Sequence, residues 1–152
     1  PLAYYSAYFY RRGDSFDAAV MTRGIEPVRQ KINAIRRDQN ASKKDEEMLT
    51  TLEAVYEFYL RGFDFKRMNL YRSEARKFVI EDQCLVPPFI AIAGLGEAAA
   101  NDLVKCRENG RVFISVEEVM GACPKVSQTH MQQLKELGAL GDMPETSQIS
   151  FF

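Results

Sequence analysis

Two glycines flank one apolar residue in Ile92-Ala93-Gly94-Leu95-Gly96, and a small-residue run follows at once, Glu97-Ala98-Ala99-Ala100-Asn101-Asp102-Leu103-Val104-Lys105. Glycine lets the backbone turn tightly and lets another molecule approach without meeting a Cβ. The helix that follows starts with unpaired N–H groups at the positive end of its dipole. A corner of that kind suits a phosphate oxygen.

Two ligand-binding readings fit this corner. Gly94-x-Gly96-x-x-Ala99 matches the G-x-G-x-x-A form of a dinucleotide fingerprint, with Glu117 placed where a ribose-binding acid is expected. Alternatively the corner is the hairpin of a helix-hairpin-helix, with candidate contacts to a duplex backbone at Ile92, Gly94, Leu95, Gly96 and Ala98. On that reading the amides around Gly94, Gly96 and Ala98 grip one phosphate without regard to sequence. Lys105 and Arg107 on the following helix would add charge. The third reading is a structural corner with no ligand at all.

The net charge of −1 over 152 residues excludes a protein that binds nucleic acid by charge alone. Residues 87–143 hold five basic and seven acidic side chains, so a duplex contact here is a positioning contact within a larger surface. Cys84, Cys106 and Cys123 are odd in number and form no C-x-x-C, which favours a reduced, cytoplasmic protein with packing thiols. With His130 the single histidine, no metal site is expected. No apolar run approaches the ~20 residues of a membrane span. Pro1 stands where an initiator Met would, as in a fragment or processed product.

The elements that must hold the corner come mostly as helices. Leu2, Tyr5, Tyr8 and Phe9 fall on one helical face, an aromatic face suited to core packing or, with Arg11 and Arg12, to base stacking. Residues 13–23 read as a turn and a short irregular segment. A helix is expected over 26–37, with Pro27 in its first turn and Val28, Ile32 and Ile35 inward. Ser42 with Asp45 forms a capping box before a long helix whose inward stripe is Met48, Leu49, Leu52, Val55, Tyr56, Tyr59 and Leu60, ended by Gly62. Residues 63–66 and 69–72 then look extended, and residues 77–80 and 84–86 form a β-hairpin closed by Pro87-Pro88. Beyond lie short helices: one from the corner to Gly110, one capped by Ser115, and one capped by Ser127 that carries Met131, Leu134 and Leu137. The closing Leu137-Gly138-Ala139-Leu140-Gly141 echoes the first corner without a following helix. A dinucleotide fold needs parallel strands on both sides of its glycine turn, and this order of elements cannot build them, which favours the helix-hairpin-helix.

Pro144, Glu145, Thr146 and Ser147 read as a polar, extended, disordered linker. Gln148-Ile149-Ser150-Phe151-Phe152 then places one amide, one aliphatic and two aromatics at the end, a pattern suited to a partner's pocket or to folding back onto its own core. This end resembles the C-terminus of the PolC-type DNA polymerase III alpha subunit of Gram-positive bacteria. That family closes on approximately Gln-Leu-Ser-Leu-Phe. Gln148, Ser150 and Phe152 match, and Ile149 and Phe151 stand where leucines are usual. The resemblance extends through Pro1-Leu2-Ala3-Tyr4-Tyr5, Arg61-Gly62-Phe63-x-Phe65, Leu70-Tyr71-Arg72-Ser73-x-Ala75, Leu85-x-Pro87-Pro88-Phe89, Gly94-Leu95-Gly96 and Arg107-Glu108.

The resemblance implies a mainly α fold with a small β-hairpin, in three parts. Residues 1–86 would end the polymerase fingers, 87–143 would form a helix-hairpin-helix module on double-stranded DNA, and 144–152 would dock on the sliding clamp through Gln148, Ile149, Ser150, Phe151 and Phe152. The palm aspartates that hold magnesium in the intact polymerase would lie upstream of Pro1. Asp14, Asp17 and Asp64 match no palm motif, so no catalytic or metal residue, no cofactor and no polymerase activity is expected of this chain alone. The remainder of the polymerase is then a partner. Whether Arg72 and Arg76 face a nucleotide or solvent is open at this level.

Overall fold

The computed structural model describes residues 1–147. The expectations for Gln148, Ile149, Ser150, Phe151 and Phe152 lie outside the described residues.

The first helix, α1 (Leu2–Arg11), buries Tyr5, Ser6 and Phe9, while Leu2 and Tyr8 are only half-buried. Its aromatic face is core. Phe9 meets Phe58 at 5.6 Å between ring centroids, Phe58 meets Phe65 at 4.6 Å, and Phe16 meets Phe78 at 4.8 Å. Tilted and edge-on contacts at such spacings add to the burial itself. The buried Ser6 hydroxyl donates to the Phe78 carbonyl at 2.6 Å, so it carries no unmet hydrogen bond. Residues 13–23 are more ordered than expected: a 3-10 turn at Gly13–Ser15 leads to α2 (Ala18–Met21), capped by the Asp17 carboxylate, which accepts from Ala19 N–H at 3.0 Å.

Helices α3 (Ile25–Arg37) and α4 (Lys43–Leu60) pack along one another. Val28, Ile32 and Ile35 face inward as their spacing predicts, and the Ser42–Asp45 capping box is complete. The stripe on α4 needs one correction. Leu60 is 64% exposed, and its expected place is taken by Phe58, which is fully buried. At 100° per residue, position 58 falls on the face of Thr51 and Val55, whereas position 60 has turned past it.

A short antiparallel hairpin follows, β1 (Val79–Glu81) and β2 (Cys84–Val86), with Val79 opposite Val86 and Glu81 opposite Cys84. Asp82 and Gln83 both have positive φ, 50° and 62°, as a two-residue turn matched to strand twist requires. Phe65 bridges Leu85 in the parallel sense, so the expected extension at 63–66 is present. The extension expected at 69–72 is instead a turn. Asn69 Oδ1 accepts from Tyr71 N–H at 2.8 Å, and the Ser73 amide donates to the Asn69 carbonyl at 2.8 Å.

The last part holds α5 (Glu97–Cys106), α6 (Val116–Ala122) and α7 (Gln128–Glu136). α5 stops at Cys106, ahead of the expected Gly110; a 3-10 turn with Asn109 at φ 62° and Gly110 at φ 72° then redirects the chain. One continuous cluster of buried side chains runs from Tyr5 to Leu140. Main-chain bonds cross the expected boundary near residue 87, from Phe89 N–H to Glu74 (2.9 Å), Ile90 N–H to Ala75 (3.1 Å) and Leu70 N–H to Ala139 (2.9 Å). Pro144 and Glu145 also depart from the free linker expected of them. Their carbonyls accept from Val116 and Glu117 N–H at 2.9 and 3.0 Å, and Glu145 pairs with Lys135.

Candidate nucleic-acid interface

The corner is a β-turn in which Leu95 N–H donates to the Ile92 carbonyl at 3.0 Å. Gly94 holds its third position with φ +80°, where a type II turn requires the left-handed region. Ile92 and Leu95 are 2% and 4% exposed, so they anchor the turn in the core and present no side chain outward. Gly94, Gly96 and Ala98 lie at the surface. The Nε2 of the half-buried His130 stands 3.5 Å from where a Gly94 Cβ would sit, so the single histidine lies beside the turn. Ahead of the corner there is one 3-10 turn, Phe89–Ala91, so the hairpin's first arm is a single turn and α5 is its second.

Gly96 is the informative residue. Its φ of −75° is open to any amino acid, and a Cβ placed there would meet nothing within 4 Å. Neither backbone conformation nor internal packing therefore calls for glycine. At the start of α5 it supplies no side-chain oxygen, and no side chain caps that start among the described residues. The other two helix starts in this half carry side-chain caps. Ser115 Oγ accepts from Glu118 N–H and Ser127 Oγ from His130 N–H, each at 3.1 Å. On α6 the Pro144 and Glu145 carbonyls take the two amides that remain. α5 alone among these three has no side-chain cap, and its first amides lie at the positive end of its dipole.

The expected cations separate. Lys105 is exposed but sits nine residues beyond Gly96, about 13 Å along the axis, so it serves a different point of any ligand than the corner does. Arg107 is a correction. Its side chain is 12% exposed, it donates to the Leu70 carbonyl at 2.8 Å, pairs with Glu74 at 3.5 Å and lies 5.9 Å over the Phe89 ring. It ties the two halves of the chain together and offers no free charge. Arg72 pairs with Glu81 at 2.7 Å beside the hairpin. Arg76, by contrast, is brought to the corner, with its guanidinium 3.4 Å from the Glu97 carboxylate and 5.5 Å over the Tyr10 ring. A groove of about 520 Å³ runs along the corner, lined by Gly94, Gly96, Glu97, Arg76, Lys44 and Asp14 among others. No local pattern announces Arg76 or Lys44, because each reaches the corner only through the tertiary fold.

The echo at Gly138 is real at its first glycine, with φ +80° as at Gly94. It departs at the second, where Gly141 has φ +60° against −75° at Gly96. Gly138 is called for by its φ of +80°, and the exposed Arg67 side chain lies beside it, with Cδ 3.0 Å from where a Cβ would sit. The dinucleotide reading is overturned. The described sheet has two antiparallel strands, Val112-Phe113-Ile114 forms no strand, and Glu117 lies in the first turn of α6. Among the described residues no group of three or more His, Cys, Asp or Glu could hold a metal ion. Cys123 is buried in the core, and burial together with the neighbouring Cys106 thiol pushes its pKa up.

Comparison with known proteins bears directly on this corner. The model of the helix-hairpin-helix motif matches residues 62–148. The chain is 41% identical over its whole length to a DNA polymerase III PolC-type of Streptococcus pneumoniae (strain D39), covering 10% of that protein. It is 40% identical, again over its whole length, to that of Caldanaerobacter subterraneus subsp. tengcongensis, covering 11% of it. With that of Bacillus cereus it shares 40% identity over 99% of the chain and 10% of the relative. The chain thus spans about a tenth of the length of these curated relatives, and the resemblance to PolC-type polymerases holds from end to end.

Proposed function

The chain belongs to the helix-hairpin-helix motif family, and from that premise we propose that it is part of a cytoplasmic replicative DNA polymerase and holds the backbone of double-stranded DNA. The observation that carries this reading is the open start of α5 behind Gly96, a glycine that nothing inside the protein requires. The amides around Gly94, Gly96 and Ala98 would hold one phosphate regardless of base sequence. Ile92 and Leu95 keep the turn rigid. Nucleotidyl transfer and its magnesium would belong to the remainder of the polymerase, which is the first partner. Gln148, Ile149, Ser150, Phe151 and Phe152 would dock on the sliding clamp, so that a weak peptide contact raises the enzyme's effective concentration at the primer end.

The test is Gly96→Asp, read by anisotropy of a labelled duplex across 50–200 mM salt. Aspartate is a favoured N-cap, so its carboxylate closes the free amides and repels phosphate at once. The variant is expected to melt at or above the parent temperature while duplex affinity falls about tenfold or more. Unchanged affinity would leave a structural adaptor in place of a duplex grip. The tether is tested separately by titrating clamp against the chain with and without Gln148–Phe152. Micromolar binding, about 8 kcal/mol, is expected with the tail only; equal binding without it would remove the tether.

A further inference from the structure

We propose that Arg76 is the cation of the corner's phosphate site and that Glu97 is its built-in competitor. This rests on the duplex-binding reading above and adds to it two residues on which the affinity turns.

Arg76 precedes the hairpin in sequence, yet it lines the same groove as Gly94 and Gly96. Two contacts aim it there. The Tyr10 ring lies 5.5 Å beneath the guanidinium carbon, and the Glu97 carboxylate is 3.4 Å from one terminal nitrogen. A guanidinium carries five N–H donors in a fixed fork, and charge-assisted pairs close to about 2.7–2.9 Å when firmly made. At 3.4 Å, with the two side chains 40% and 57% exposed, the pair with Glu97 is loose and does not use all five donors. Arg107 is enclosed, and Arg72 is held by Glu81 at 2.7 Å beside the β-hairpin and does not line the groove.

Glu97 is the first residue of α5, so its carboxylate already stands at the positive end of the helix. A backbone phosphate that settles on the corner amides meets that carboxylate as a like charge. It is also offered Arg76 in exchange. Phosphate thus replaces Glu97 on the guanidinium, and the net gain is the difference between two anion contacts. Such an arrangement keeps the grip weak and quickly exchanged, as suits a contact that must be released at each step along a duplex.

The signs of the two substitutions are opposite, which makes the idea easy to defeat. With the full chain and a labelled duplex of arbitrary sequence, Glu97→Gln is expected to tighten binding roughly two- to fivefold. Arg76→Gln is expected to weaken it about tenfold and to lower the slope of log affinity against log salt by about one. Arg76→Lys should keep the slope of the parent. In the Arg76→Gln background the gain from Glu97→Gln should shrink, because only the repulsion remains to be relieved. A Glu97→Gln chain that binds no better than the parent overturns the competitor. An Arg76→Gln chain of parent melting temperature with an unchanged salt slope overturns the cation. If either happens while Gly96→Asp still abolishes binding, the inference falls and the corner stands. If Gly96→Asp is also without effect, the duplex reading itself has failed.

Discussion

Tyr59 shows how much one side chain fixes at a distance. Its hydroxyl donates to the Met21 carbonyl at 2.7 Å and accepts from Gly24 N–H at 3.3 Å, so the end of α2 and the start of α3 hang on one phenol from α4. Burial raises that phenol to about 12, the Gly24 amide opposes the rise, and Asp64 adds to it. The unfolded chain ionises first, near pH 10. The stabilisation from the neutral phenol is therefore whole below about pH 10 and is lost as pH climbs from there through about 12. Tyr59→Phe should cost about 1–2 kcal/mol at neutral pH, because it strands Gly24 N–H and the Met21 carbonyl. The gap between parent and variant should narrow across that alkaline window when both are unfolded in urea. A gap that stays constant to pH 12 would mean the phenol is not held as described. Sequence reaches this scale unevenly. Ser42, Ser115 and Ser127 were legible as caps because a cap depends on its next three residues alone. Arg76 and Arg107 were not, since their partners Tyr10, Glu97, Leu70 and Phe89 are near them only in the fold.

At the scale of elements, the contrast between α5 and α6 matters most. Both begin after a short turn, yet α6 has its first amides taken by Ser115, Pro144 and Glu145, and α5 has a bare glycine. The period of the helices was readable, and so was the hairpin, whose Asp82-Gln83 turn sits between two short apolar runs. The return of Pro144 and Glu145 onto α6 was not readable, because polar composition describes solvation and says nothing of carbonyls that find free amides. It has a consequence for where any tail can begin. A chain ended after Ser147 keeps the Pro144 and Glu145 carbonyls on α6 and is the reference for a shorter one. A chain ended after Met143 exposes Val116 and Glu117 N–H and frees Lys135, a loss of about 1–2 kcal/mol and several degrees in Tm. Equal melting of the two truncations would show that the Pro144–Glu145 clasp does not form. A lower melting point for the shorter chain would place Pro144 and Glu145 in the fold, even though the polar composition changes at Pro144.

For the whole molecule, the break in pattern at Pro87-Pro88 and the continuity of the core point in different directions. Composition and periodicity change there, which is why a boundary is legible. The buried cluster nevertheless runs through it, and Leu70, Glu74 and Ala75 are bonded to residues on the far side. Arg107 adds a nearly enclosed guanidinium across the same seam. Packing of this kind predicts that the two parts unfold as one cooperative unit, with the corner and the Pro144–Glu145 clasp on a common frame. The consequence can be read far from the corner. Phe9→Ala removes a ring that touches Tyr5, Phe16, Phe58, Phe65 and Phe78, all before residue 87. It should cost about 3–5 kcal/mol. In one unit, the urea midpoint of tyrosine fluorescence from the aromatic cluster and the midpoint of duplex-binding loss at the corner should fall together, and by the same amount. Two units would instead leave the corner binding duplex at urea concentrations where the aromatic cluster has already unfolded. That second outcome would make residue 87 a domain edge; the bonds across the seam predict the first.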